Sequence, residues 1–120
     1  MLVVEDDRSV LETLVHLLTV QGFAVTATGS VVGAISLVRR QRPDLIILDL
    51  GLPYRSGVSF LAELKADPQT QHIPVIVVSA LLDLLPAEHR ALVAGVLAKP
   101  FDIHALMATV RAALEHDRVS

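Results

Sequence analysis

Apolar residues in this sequence gather in two kinds of stretch, short continuous runs and longer segments with helical spacing. The runs are Leu2 to Val4, Ala24 to Thr26, Leu45 to Leu48, Val75 to Val78 and Val96 to Ala98. Each has the length and the β-branched or apolar content of a strand. Between them the period changes. Val10, Leu14, Leu17 and Leu18 share one helical face, with Asp7 or Ser9 as N-cap, Glu12 completing a capping box with Ser9, and Gly22 as the stop. Val31, Ile35 and Val38 predict a second helix. Val58, Leu61 and Leu64 predict a third, closed by the turn signal Asp67-Pro68. A shorter fourth segment places Pro86 at a first helical position and ends at Leu92 and Val93. The last helix starts from Asp102 as N-cap and runs through Ile103, Leu106, Met107, Val110 and Leu114.

The order is therefore strand then helix, five times over. Strands that are apolar throughout are buried on both faces, and strands alternating with helices require right-handed crossovers in a parallel sheet. The pattern predicts an open, doubly wound α/β domain of three layers. In such sheets ligands bind outside the carboxyl ends of the strands, near the point where strand order reverses.

At those strand ends stand Glu5, Asp6 and Asp7 after the first strand, Asp49 after the third, Ser79 and Ala80 after the fourth, and Lys99 and Pro100 after the fifth. The fold brings Glu5, Asp6 and Asp49 to one end of the sheet, where like charges cannot all ionise without compensation. A hard divalent cation supplies it. Mg²⁺ accepts a few carboxylates, keeps several waters and completes its shell with phosphate oxygens. Lys99 adds a fixed positive charge and Ser79 a hydroxyl donor, so together they suit the oxygens of a transferring phosphoryl group while one carboxylate attacks phosphorus. Asp7 taken alone reads better as a helix cap than as a ligand.

Composition narrows the picture further. The chain has 120 residues, 52% of them hydrophobic, enough for one cored domain over 1–120 and too few for two; no effector domain is expected within this stretch, which leaves a stand-alone domain and a piece of a larger protein both open. Net charge is −3 and only Arg39, Arg40 and Arg42 cluster, so no basic stripe invites nucleic acid or anionic lipid. Without cysteine there are no disulfides, thiolate nucleophiles or cysteine-type zinc sites. No run is long enough to cross a bilayer and no export signal opens the chain, so the cytoplasm is the expected compartment. The five histidines are too dispersed for a ligand motif.

"LVVEDD", "DLIILDLGLP" with Gly57 four residues beyond Pro53, "PVIVVSA" and "LAKPF" together resemble the four signatures of response-regulator receiver domains, over essentially the whole chain. The resemblance implies a five-stranded flavodoxin-like sheet of order 2-1-3-4-5. It also implies a switch that takes a phosphoryl group from a sensor histidine kinase or phosphotransfer protein and is no enzyme beyond its own phosphotransfer and autodephosphorylation. Carried over position by position, it makes Asp49 the phosphoacceptor and Asp6 a direct ligand of Mg²⁺ (or Mn²⁺). Glu5 would act through a metal-bound water, and Gly51 would lend its backbone carbonyl. Ser79, the Ala80 backbone N–H and Lys99 would hold the phosphoryl oxygens. A cis bond between Lys99 and Pro100 is implied as well.

Two departures qualify the resemblance. The family's switch aromatic, three residues before the lysine, is Val96 here, and the stretch from Ser79 to Lys99 is about two residues short. That stretch carries Leu81, Leu82, Leu84 and Leu85, which either pack inward or form an apolar patch for a partner or dimer mate on the fourth and fifth helices. Leu81, two residues past Ser79, is placed to shield an acyl phosphate from water. Two rival readings remain. A haloacid-dehalogenase-like phosphatase also carries Asp after a strand but needs a second Asp where Gly51 stands. A receiver-shaped interaction or dimerisation module would work without phosphorylation.

Overall fold

Alternate residues of an extended chain point to opposite faces of a sheet, so a strand covered on both sides must be apolar at every position. Three strands meet that condition here, save for the serine that closes the third of them. In the computed structural model, described for residues 1–50, 57–80 and 85–119, β1 (Leu2–Val4), β3 (Ile46–Leu48) and β4 (Val75–Ser79) are buried along their whole length. They form the middle of a five-stranded parallel sheet of order β2-β1-β3-β4-β5. The edges are β2 (Thr26–Thr28) and β5 (Gly95–Ala98), both partly exposed.

On one face Leu2, Val4, Ile46, Leu48, Val75 and Val77 meet α2 (Val31–Gln41) and α3 (Gly57–Ala66) through Val31, Ala34, Val38, Phe60, Leu61 and Leu64. On the other, Val3, Ile47, Ile76 and Val78 meet α1 (Arg8–Val20) and α5 (Ile103–Val119) through Leu14, Leu18, Leu106, Met107, Val110 and Ala113. This is the three-layer, doubly wound, flavodoxin-like arrangement that the pattern and the resemblance implied. Among the described residues no helix is long and apolar enough to cross a membrane.

Three local expectations are corrected. β2 lies two residues beyond the predicted Ala24 to Thr26, because pairing with β1 aligns Leu2 with Thr26 and Val4 with Thr28. An edge strand that is half solvated does not need the apolar residues that drew the reading upstream. The α1 cap is Asp7, whose Oδ1 accepts from the Ser9 and Val10 amides at 2.9 and 3.2 Å. Glu12 pairs with Arg8 at 3.1 Å, so the Ser9–Glu12 capping box does not form. The fourth helix, α4 (Ala87–Arg90), is a single turn with Pro86 at its N-cap and not inside it. Leu85 is buried just before it, Leu92 is exposed just after it, and Leu81, Leu82 and Leu84 lie outside the described residues.

Other terminators behave as read. Gly22 follows the end of α1 with φ +96, a conformation that glycine adopts without steric cost. The Asp102 carboxylate accepts from the Ala105 amide at 2.7 Å at the start of α5.

Candidate functional site

Parallel register decides which side chains meet at the carboxyl edge. Val4 is aligned with Leu48, so the residues that follow, Glu5 and Asp49, emerge side by side. The pairing continues past the strands. The Asp49 amide donates to the Val4 carbonyl at 3.0 Å and the Glu5 amide to the Thr28 carbonyl at 3.1 Å. Ser79 is the last residue of β4, aligned with Ala98, and the Lys99 amide donates to the Ser79 carbonyl at 3.1 Å. Four strands thus deliver a carboxylate, a second carboxylate, a hydroxyl and an ammonium to the carboxyl edge of the sheet.

Glu5, Asp49 and Ser79 are the buried polar or charged residues of the described chain, at 2%, 8% and 0% exposure. Buried charge is costly unless paired, and Lys99 does the pairing. Its ammonium donates to Glu5 Oε1 and lies 3.5 Å from Asp49 Oδ2.

Burial raises the Glu5 carboxyl to about 7, helped by a hydrogen bond to Asp49 and opposed by Lys99. Burial alone would lower the Lys99 ammonium. The hydrogen bond to Glu5 and the negative charge of Asp49 and Glu5 outweigh it, and hold the ammonium above the ordinary lysine value.

Carboxylate oxygens of Glu5, Asp6 and Asp49 lie within 4.8 Å of one another, with Asp6 exposed beside the two buried acids. An all-oxygen set this tight, open to water on the Asp6 side, has the chemistry of a Mg²⁺ or Mn²⁺ site and fits an ion that keeps several waters. The Asp7 carboxylate serves as the helix cap, while its amide donates to Glu5 Oε2 at 3.4 Å. Gly51 lies outside the described residues. The Lys99-Pro100 bond is cis, as the resemblance implied.

Two features escaped sequence reasoning. One is that Lys99 holds Glu5 as well as Asp49; separations of 94 and 50 residues leave no local trace of such contacts. The other is why residue 57 is glycine. Its amide donates to the Leu50 carbonyl at 2.9 Å. A Cβ there would overlap the Asp49 carbonyl oxygen and come within 2.7 Å of Leu50 Cα. Gly57 lets α3 begin against the backbone that carries Asp49.

The family model described as response regulator receiver domain matches residues 1–111. The chain belongs to that family. It is 35% identical over 119 residues to the DNA-binding response regulator MtrA of Mycolicibacterium paratuberculosis, covering 97% of this chain and 51% of that protein. It is 36% identical over 119 residues to the transcriptional regulatory protein KdpE of Mycobacterium tuberculosis, with 97% and 51% covered. The chain therefore spans about half the length of these curated relatives.

Among solved structures, this receiver domain resembles a sensor protein from Polaromonas sp. JS666 with a TM-score of 0.90 at 29% identity, covering 97% of this chain and 95% of that one. It also resembles a CheY-like response regulator receiver domain from Methylobacillus flagellatus, with a TM-score of 0.84 at 29% identity and 93% and 95% covered.

Within the receiver fold, Val96 sits in β5 opposite Val77, half-buried and packed against the core on the α2–α3 side.

Proposed function

We propose that this receiver domain accepts a phosphoryl group on Asp49 from the phosphohistidine of a sensor kinase or phosphotransfer protein, in a Mg²⁺-dependent step. One observation carries the reading: Asp49 is a buried carboxylate within reach of Lys99, beside Glu5 and Asp6, at the meeting point of four strand ends.

An Asp49 oxygen attacks phosphorus, the phosphorus–nitrogen bond of the donor breaks, and its electron pair leaves with the imidazole, which takes up a proton. The phosphoryl oxygens then need positive charge and donors. Lys99 supplies the charge, and the Ser79 hydroxyl and Ala80 amide supply donors at the end of β4. Glu5 and Asp6, with Asp49 and the Gly51 carbonyl, would hold the metal, which when bound neutralises the charge of acids and phosphoryl group together. The domain processes no substrate but its own phosphoryl group.

The new charge on Asp49 competes with Glu5 for Lys99 and draws Ser79 and Lys99 towards itself, so any conformation that allows this gains population. The signal passes to an output segment or partner through the α4, β5 and α5 side. MtrA is named as a DNA-binding regulator, and an output of that kind, in the cytoplasm, is the reading we adopt for the whole protein. The domain itself, with net charge −3 and its basic residues scattered apart from Arg39, Arg40 and Arg42, is not expected to bind nucleic acid directly.

The single-turn α4 and Val96 favour one rival, a receiver used for docking or dimerisation without phosphorylation. Intact mass after incubation with acetyl phosphate separates the two. A Mg²⁺-dependent increment of one phosphoryl group, absent in Asp49→Asn, is expected. No increment in a folded sample selects the rival.

A further inference from the structure

We propose that the groove between α2 and α3 binds a small organic anion with a compact apolar body and a carboxylate head. Ile35, Val38, Arg39 and Arg42 from α2 and its C-cap face Phe60, Glu63, Leu64 and Asp67 from α3 and the turn after it, enclosing about 280 Å³ together with Gln69, Thr70 and Ile73. The two sides share one spacing, each residue three, four or seven positions beyond the first, so each presents a single helical face. Val38, Phe60, Leu64 and Ile73 are buried and make an apolar floor, while charged groups stand at the rim. The volume is at the low end for small-molecule pockets and suits one ring or short chain.

The rim is electrostatically uneven. Asp67 Oδ1 is turned to its own loop, accepting from the Gln69 amide at 2.9 Å, and Glu63 is engaged in an interaction of its own. Among the described residues neither the Arg39 nor the Arg42 guanidinium has an ion pair or hydrogen bond. Two unpaired guanidinium groups above an apolar floor select a planar anion attached to an apolar body.

Arg42 adds a second, independent sign. It caps α2 with φ 46 and ψ 65, the left-handed region where glycine is the usual residue. A bulky residue kept in that conformation points to a use for its side chain. The groove lies by the helix ends and the entry to β4, at the opposite edge of the sheet from Asp49, so it is separate from the phosphoacceptor site.

The test is a titration of the whole chain with hydrocinnamate and, separately, with its uncharged amide, followed by backbone-amide NMR. Saturable shifts confined to Arg39, Arg42, Gln69, Thr70 and their neighbours, with hydrocinnamate and not with the amide, are expected. Arg42→Gly removes the guanidinium and relieves the backbone. It should bind hydrocinnamate about tenfold more weakly with an undiminished Tm and unchanged acetyl phosphate labelling. Shifts absent at millimolar ligand, equal shifts with the amide, or unchanged affinity in Arg42→Gly would each overturn the proposal.

Discussion

The Lys99 ammonium lies 3.5 Å from Asp49 Oδ2 while also donating to Glu5, so one cation holds two buried carboxylates from different strands. Removing it leaves those acids adjacent without a counter-charge and leaves an incoming phosphoryl group without its fixed positive partner. Lys99→Ala is expected to slow Asp49 labelling by acetyl phosphate about a hundredfold, the usual scale for losing one transition-state donor. Intact mass against time, at saturating Mg²⁺, measures it. An unchanged rate means that Lys99 serves only to compensate buried charge.

Gly57 is expected to tolerate no side chain. Alanine favours a helix over glycine by up to about 1 kcal/mol, which alone predicts stabilisation. The overlap of a Cβ with the Asp49 carbonyl and its approach to within 2.7 Å of Leu50 Cα oppose it, and both contacts are backbone that cannot rotate away. Overpacking of this kind costs about 2 kcal/mol, so Gly57→Ala should be net destabilising in urea unfolding. Labelling at Asp49 should fall as well, because the shift displaces the backbone carrying the nucleophile. Stability equal to that of the parent means that α3 moves freely away from β3.

Much of this fold is legible in the sequence itself. Strands buried on both faces betray themselves as unbroken apolar runs, so β1, β3 and β4 were readable, and with them the positions of Glu5, Asp49 and Ser79 at their ends. The edge strand β2 was misplaced because Thr-Ala-Thr is half solvated and held by pairing to β1, a non-local cause. The mutual hold of Lys99, Glu5 and Asp49 was only partly legible. A sequence shows which charges arrive at an edge, whereas the way they share one another depends on burial and distance.

The start of α1 decides between the two caps that the sequence left open. Asp7 Oδ1 satisfies the amides of both Ser9 and Val10, whereas the Ser9 side chain makes no capping bond. Asp7→Ala should therefore cost about 1 kcal/mol, and Ser9→Ala close to nothing, by thermal or urea unfolding. Neither should change labelling at Asp49, since Asp7 is occupied with the helix. A loss of labelling in Asp7→Ala at unchanged stability would make Asp7 part of the acidic site.

Glu5 gives the metal-free protein a pH dependence whose sign follows from burial. Its carboxyl titrates near 7 in the fold against an ordinary 4.5. Between those values the folded state keeps a proton that the unfolded chain has released. Its contribution to stability is therefore complete below about pH 4.5 and is lost as pH rises through 7. The span bounds the loss at about 3 kcal/mol, less where Lys99 rearranges to meet the new charge. Lys99 is silent in this window: its raised value makes its contribution complete below 10.5 and lost only above that. Urea unfolding at pH 5 and pH 8 without metal should show the decline, and Glu5→Gln, which cannot ionise, should remove that part of it. Mg²⁺ should restore stability mainly at the higher pH, because a cation binds the carboxylate and competes with its proton. If Glu5→Gln leaves the slope between pH 5 and pH 8 unchanged, the proton is held elsewhere and Glu5 is ionised throughout, with Lys99 sufficient to keep it charged inside the fold.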